Sequence, residues 1–137
     1  MTIILCLDNR NGLMFNNRRL SRDENVIRDI IELLNGQKLY CLEYSRSLFQ
    51  HYGFEEHLYV MESIYTNMSD TIWFIENVDF DIHLFPVSCF IVYYWNRIYP
   101  ADTVLDQSIL EGYKLLSSKD FSGTSHENIT KKIYVKV

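Results

Sequence analysis

A chain of 137 residues is the usual size of one domain, and folding hides roughly two-thirds of its extended surface, so neither disulfide nor metal is needed to hold a core. With 47% hydrophobic and 15% aromatic residues against only 5 Gly and 2 Pro, extended disorder, low-complexity linkers and internal division are excluded, and residues 1–137 are expected to form a single domain. The net charge of −5 argues against a general nucleic-acid binder.

In chain order, the apolar run Thr2 to Leu7 predicts a buried strand. No basic region precedes it and Asp8 follows at once, which is not the pattern of a signal peptide. The polar segment Asp8 to Leu20 reads as a long loop, with Asn11-Gly12 as a turn signal. Ser21 and Glu24 have capping-box spacing, and Val26, Ile27, Ile30, Ile31 and Leu34 recur at helical period. They predict a helix that starts at Ser21 and stops at Asn35-Gly36. A strand over Lys38 to Leu42 and a short helix around Ser45 to Tyr52, closed by Gly53, complete an alternation typical of parallel crossover units.

The second half changes character. Leu58–Val60, Thr71–Ile75, Ser88–Trp95, Tyr113–Ser117 and Ile129–Val137 are strand-like with little helical period between them, which predicts antiparallel pairing. Ser88–Trp95 is apolar on both faces and belongs in the centre of a sheet. The last run places Ile129, Ile133, Val135 and Val137 opposite Thr130, Lys132, Tyr134 and Lys136, the pattern of a strand near an edge guarded by lysines. The fold class expected is α/β: one mixed sheet with about two main helices and an antiparallel C-terminal part.

Chemistry-bearing motifs are sparse. There is no P-loop, dinucleotide fingerprint, nucleophile elbow or paired-cysteine zinc spacing. His51, His57, His83 and His126 are scattered, so no metal site is expected. Cys6, Cys41 and Cys89 are odd in number and sit in apolar runs, which points to a reducing, cytoplasmic setting. No apolar stretch approaches the roughly 20 residues that span a bilayer, so no membrane association is expected.

The sharpest feature is electrostatic. Arg10, Arg18, Arg19 and Arg22 fall between Asn9 and Arg22 with no acid among them, while the remainder carries twice as many acids as bases. Arg18, Arg19 and Arg22 repel one another unless an anion neutralises them, and a helix N-terminus beside them would add N–H donors. They predict an anion-recognising site shaped by Asn16 and Asp23. The simpler reading is a solvated loop whose arginines pair with surplus acids, at about 0–1 kcal/mol per exposed pair. The segments Asn96–Thr103 and Phe121–Asn128 read first as turns, and they contribute Arg97, Asp102 and His126 as further candidate binding residues.

Taken together, the first strand, the Asn11-Gly12 loop and a helix opening with Asp23 resemble the first strand, mobile loop and carboxylate-bearing helix of the dihydrofolate reductase family. Asp102-Thr103, Tyr113-Lys114-Leu115 and the closing strand resemble that family's Asp-x-Thr element and final hairpin. The resemblance is to a shortened, degenerate member. Reductases hold NADPH with a Gly-Arg-x-Thr turn and a later Gly-Gly pair, but Leu42-Glu43-Tyr44-Ser45-Arg46 and Val92-Tyr93-Tyr94-Trp95 stand in those places. No cofactor is therefore expected.

The pattern from Phe15 to Asp23, with Tyr94–Pro100 and Ser125–Thr130, is also similar to short proteins of Gram-positive bacteria and their mobile elements. Some of these carry a ribonuclease Z label, which demands a histidine-rich metal motif that this sequence lacks. The function expected is a non-enzymatic binding protein on a reductase-like scaffold, serving a phage or mobile element as inhibitor of a host defence component. The alternative is a small-molecule or nucleotide-binding enzyme or sensor with a pocket under the 8–20 loop, where Asp23 anchors the ligand and Arg18, Arg19 and Arg97 neutralise it. The partner is accordingly an acidic or phosphate-bearing ligand, or a protein.

Overall fold

Alternation along β1 (Thr2–Leu7) divides the interior into two cores. Ile3, Leu5 and Leu7 point to one face and join Leu13, Met14, Trp73, Phe90 and Val92, while Ile4 points to the other with Ile27, Ile30, Phe49, Phe74 and Tyr93. The computed structural model describes residues 1–66 and 69–137. After β1 come β2 (Gly12–Phe15), β3 (Arg18–Arg19), α1 (Glu24–Leu34), β4 (Leu39–Leu42), α2 (Glu43–His51), β5 (Leu58–Met61), β6 (Ile72–Phe74), β7 (Cys89–Tyr94), β8 (Thr103–Val104), β9 (Tyr113–Phe121) and β10 (Ile129–Lys136). The main sheet has seven strands in the order β5-β4-β6-β1-β7-β10-β9, and β3-β2-β8 form a second, small sheet. The fold is α/β: among the described residues, a mixed seven-stranded main sheet with two α-helices and an antiparallel C-terminal hairpin.

Both helices cover the same face. α1 buries Val26, Ile27, Ile30 and Leu34, and α2 buries Ser45, Leu48 and Phe49. Truncating a fully buried Ile such as Ile30 costs about 2–5 kcal/mol, because transfer and cavity terms add. The opposite face is closed by β2 and by the loops that carry Ile82, Val87, Leu105 and Ile109.

Three expectations change. The cap of α1 is Asp23, whose extended backbone (φ −152°, ψ 130°) lets its carboxylate accept from Asn25 N at 2.9 Å. The Ser21/Glu24 capping box does not form, because Ser21 Oγ contacts His126 and Glu24 instead pairs with Arg28 at 2.8 Å. The supposed loop from Asp8 to Leu20 holds a hairpin: Phe15 pairs with Arg18 across Asn16 and Asn17, whose φ values of 52° and 60° are those of a type I′ turn. Antiparallel pairing is found in the small sheet and along β7-β10-β9; β5 and β6 join only parallel neighbours, and β7 is parallel to β1 on one side and antiparallel to β10 on the other. Parallel strands buried on both faces lack alternation, and that same property had placed Ser88–Trp95 in the interior, where β7 is found. β10 lies one strand in from the edge, which β9 forms.

Among the described residues no helix is long and apolar enough to cross a membrane.

Candidate functional site

The hairpin and the first turn of α1 meet the C-terminal turn 122–126 over the carboxyl end of β1. The site is built on two fully buried carboxylates. Asp8 Oδ1 accepts from Arg10 N (2.8 Å) and Gly12 N (2.7 Å), and Oδ2 accepts from Tyr99 N (3.0 Å), so it fixes the entry to the hairpin against the segment after β7. Gly12 is obligatory in this packing: a Cβ there would lie 2.8 Å from that of Ala101 and 2.9 Å from Asp8 Oδ1.

Asp23 is the second. Its Oδ1 accepts from Asn25 N and Thr124 N, both at 2.9 Å, and its Oδ2 accepts from Ser125 N (2.8 Å), Ser125 Oγ and His126 Nδ1 (both 3.1 Å). A side chain at Gly123 would collide with this carboxylate. Burial alone would raise the Asp23 carboxyl, but donation from Thr124, Ser125, His126 and Asn25 outweighs it and holds the acid far below the usual carboxylate range. Asp23 is thus an ionised structural hub rather than a free acid.

His126 continues the array. Its ring stacks on Trp95 (centroids 4.7 Å apart, planes at 24°), and Nε2 faces Tyr99 Oη at 3.0 Å and Ser21 Oγ at 3.1 Å. Because Asp23 is ionised, Nδ1 presents its proton to that carboxylate, and Nε2 faces the two hydroxyls. The order Ser21–His126–Asp23 has the connectivity of a serine triad. It lacks the rest of one: the N–H groups of Asn25, Thr124 and Ser125 already serve Asp23, and that of Glu24 serves Thr124 Oγ1.

The three arginines are divided. Arg19 turns inward: Nε donates to Glu76 Oε1 at 2.7 Å and Nη2 to Oε2 at 3.0 Å, a bidentate pair with side chains 20% and 9% exposed. Ser45 Oγ also donates to Glu76 (2.8 Å), and the guanidinium lies over the Tyr44 ring at 4.6 Å. Arg18 and Arg22 are exposed. With Ser21, Tyr44, Tyr52, Thr124 and Ser125 they line an open cleft of about 700 Å³. Beneath it, among Cys6, Arg19, Ser21, Asp23 and Trp95, only about 20 Å³ remains, the room of a single water.

The other candidates lie apart from this cleft. Asn16 N donates to Asp102 Oδ2 at 3.0 Å at the tip of the small sheet, and Arg97 is exposed in the turn after β7, its carbonyl accepting from Asn9 N. So Arg18, Arg22, Asp23 and His126 come together around the cleft and its floor, with Arg19 as its wall, while Asn16, Asp102 and Arg97 do not. Asp8, Glu76, Ser45 and Tyr99 were missed. Glu76 had a signal, as an isolated acid directly after the apolar run ending at Ile75. Burial, before the added effect of Glu76, raises the Cys6 thiol well above its usual value and pushes Cys41 up to about 12, so neither is a ready thiolate. No group of three or more His, Cys, Asp or Glu side chains among the described residues converges as a metal-ligand set.

A dinucleotide does not fit these residues. The turn into α2 carries Tyr44 where a glycine would admit a pyrophosphate, and the tyrosine is held by Arg19. After β7 comes the buried Trp95 on His126 and then a turn with Asn96 at φ 58°, without an α-helix to point its N-terminus at a phosphate.

No family model matches the chain, and a search of curated proteins returns no match. Among solved structures it is similar to a dihydrofolate reductase from Enterococcus faecalis in complex with NADP(H) and RAB-propyl. The TM-score is 0.66 at 12% identity, covering 98% of this chain and 95% of the reductase. At that identity the likeness establishes a dihydrofolate reductase-like fold and nothing of the activity.

Proposed function

We infer that the chain is a non-enzymatic binding protein on a reductase fold, and that it recognises an anionic group in the cleft between Arg18 and Arg22. The observation that carries this reading is the division of the arginines. Arg19 has its carboxylate, whereas Arg18 and Arg22 have no ion pair among the described residues although they share one cleft. Two unneutralised guanidiniums on one cleft favour a phosphate or carboxylate. Tyr44 and Tyr52 add flat surface, and Thr124 and Ser125 add hydroxyls.

The ligand class is a phosphate-bearing small molecule or an acidic segment of a protein. We extend this to a host defence component presenting such a segment on the sequence resemblance to mobile-element proteins alone. Replacement of the glycine cradle by Tyr44 and Trp95 supports the absence of hydride transfer. Calorimetric titration with inorganic phosphate, ADP and a polyglutamate peptide tests the reading. Binding of at least one probe that weakens tenfold or more in Arg18→Glu/Arg22→Glu, at unchanged Tm, is expected. Equal binding by the double variant would sink it.

A further inference from the structure

A second cavity lies on the other side of Tyr44, at the carboxyl ends of β4 and β6, and its chemistry is opposite to that of the arginine cleft. It encloses about 270 Å³, enough for one ring with a short substituent. Met14, Leu42, Phe74 and Ile75 supply apolar walls, and Asn77 and Asp79 are polar lining residues alongside Asn17, Ser45 and Glu76. No lysine or arginine lines it.

Two features of this cavity lack a partner. Asn77 Oδ1 is the one buried side-chain polar atom without a hydrogen bond among the described residues. Buried acceptors are rarely left in that state, and those that are require an explanation. Asp79 forms no ion pair among the described residues, whereas Glu76 in the same lining is neutralised by Arg19. The pocket therefore carries an exposed, unpaired carboxylate at its mouth, and an unfilled acceptor closed off behind its wall.

We propose that this cavity binds an organic cation, a protonated amine or amidine carried on a small apolar or aromatic body. The charged end donates to Asp79 and to Asn77 Oδ1, which the soft terminal torsion of asparagine lets turn toward it. The body packs on Met14, Leu42, Phe74 and Ile75. A mostly apolar concavity with a few convergent polar groups is the usual build of a small-molecule site. The site is independent of the anion cleft, from which Tyr44 and the Arg19–Glu76 pair separate it.

Three probes of one shape and different charge test it: benzamidine, benzamide and benzoate, titrated into ¹⁵N-labelled protein. Benzamidine should bind saturably, about tenfold or more tighter than benzamide, a gap of about 1.4 kcal/mol. It should move the Met14, Asn77 and Asp79 resonances, and benzoate should not. Asp79→Asn should abolish the preference for the cation. Asn77→Leu should weaken benzamidine yet raise the Tm of the free protein, because it removes the buried orphan. Arg18→Glu/Arg22→Glu should leave the titration unchanged, which separates this site from the cleft. Equal response to all three probes, no saturable shift at millimolar benzamidine, or an undiminished preference in Asp79→Asn would each overturn the proposal.

Discussion

His126 Nδ1 lies 3.1 Å from Asp23 Oδ2, and the pair joins two points 103 residues apart in sequence, the cap of α1 and the turn before β10. The carboxylate collects three backbone donors besides. Asp23→Ala removes a helix cap, worth about 1 kcal/mol, and strands buried donors at about 1–3 kcal/mol each, so a total loss of about 3–5 kcal/mol is expected. Urea denaturation measures it. A loss below about 1 kcal/mol would show that the turn does not depend on this residue.

The same residue sets a pH dependence. Its folded-state pKa is depressed, so the unfolded chain binds the proton more readily. The contribution is fully present above the unfolded aspartate value of about 3.9 and is lost as pH falls from there through the folded pKa. Stability should fall steeply below about pH 4, and Asp23→Asn should flatten that limb while lowering stability at pH 7. Parallel acid limbs in the two proteins would contradict the assignment.

Ser21 is not expected to act as a nucleophile, despite its place 3.1 Å from His126 Nε2. Tyr99 Oη occupies the same nitrogen at 3.0 Å, and the nearby backbone donors are already engaged with Asp23 and Thr124. A fluorophosphonate should leave the native protein unlabelled, as read by intact mass. Stoichiometric labelling lost in Ser21→Ala would establish a hydrolytic site instead.

How much of this was legible depends on the range of the interaction. The period of Val26, Ile27, Ile30 and Leu34 is local, and it placed α1 to within its first turn. The cap was misassigned because Ser21 and Asp23 are both good caps, and the turn holding Thr124 and Ser125 decided between them. The Asn16-Asn17 turn was readable, since two residues that tolerate positive φ between Phe15 and Arg18 are a hairpin signal; the polar run around them masked it. Direction of pairing for β5 and β6 was not readable, because it depends on where the chain re-enters the sheet. Glu76 as partner of Arg19 is a contact across 57 residues, and charge counting could not say which arginine it would choose.

NADPH should not bind. Tyr44 fills the turn into α2 under Arg19, and Trp95 leads into a turn rather than a helix. Calorimetry is expected to show no heat of binding at micromolar cofactor. Micromolar affinity would mean that Tyr44 swings away and that the cradle is intact beneath it.

The Arg19–Glu76 pair should behave as structure, unlike its neighbours Arg18 and Arg22. Its side chains are 20% and 9% exposed, and the geometry is bidentate. Removing one partner of such a pair leaves a poorly solvated charge, so Arg19→Met and Glu76→Gln should each cost about 2–4 kcal/mol. Burial lowers the tendency of Arg19 to hold its proton, but hydrogen bonding and attraction from Glu76 more than offset this, so its pKa is raised and it stays charged across the working range. Ser45 is a third member of the group through its 2.8 Å bond to Glu76. The double variant should recover about 1–3 kcal/mol relative to the sum of the single losses, the mark of a direct coupling. Arg18→Glu, on an exposed position, should change stability by no more than about 0.5 kcal/mol. If the two single losses simply add, the pair is not coupled. If Arg18→Glu destabilises as much as Arg19→Met, the division of the arginines on which the anion cleft rests is wrong.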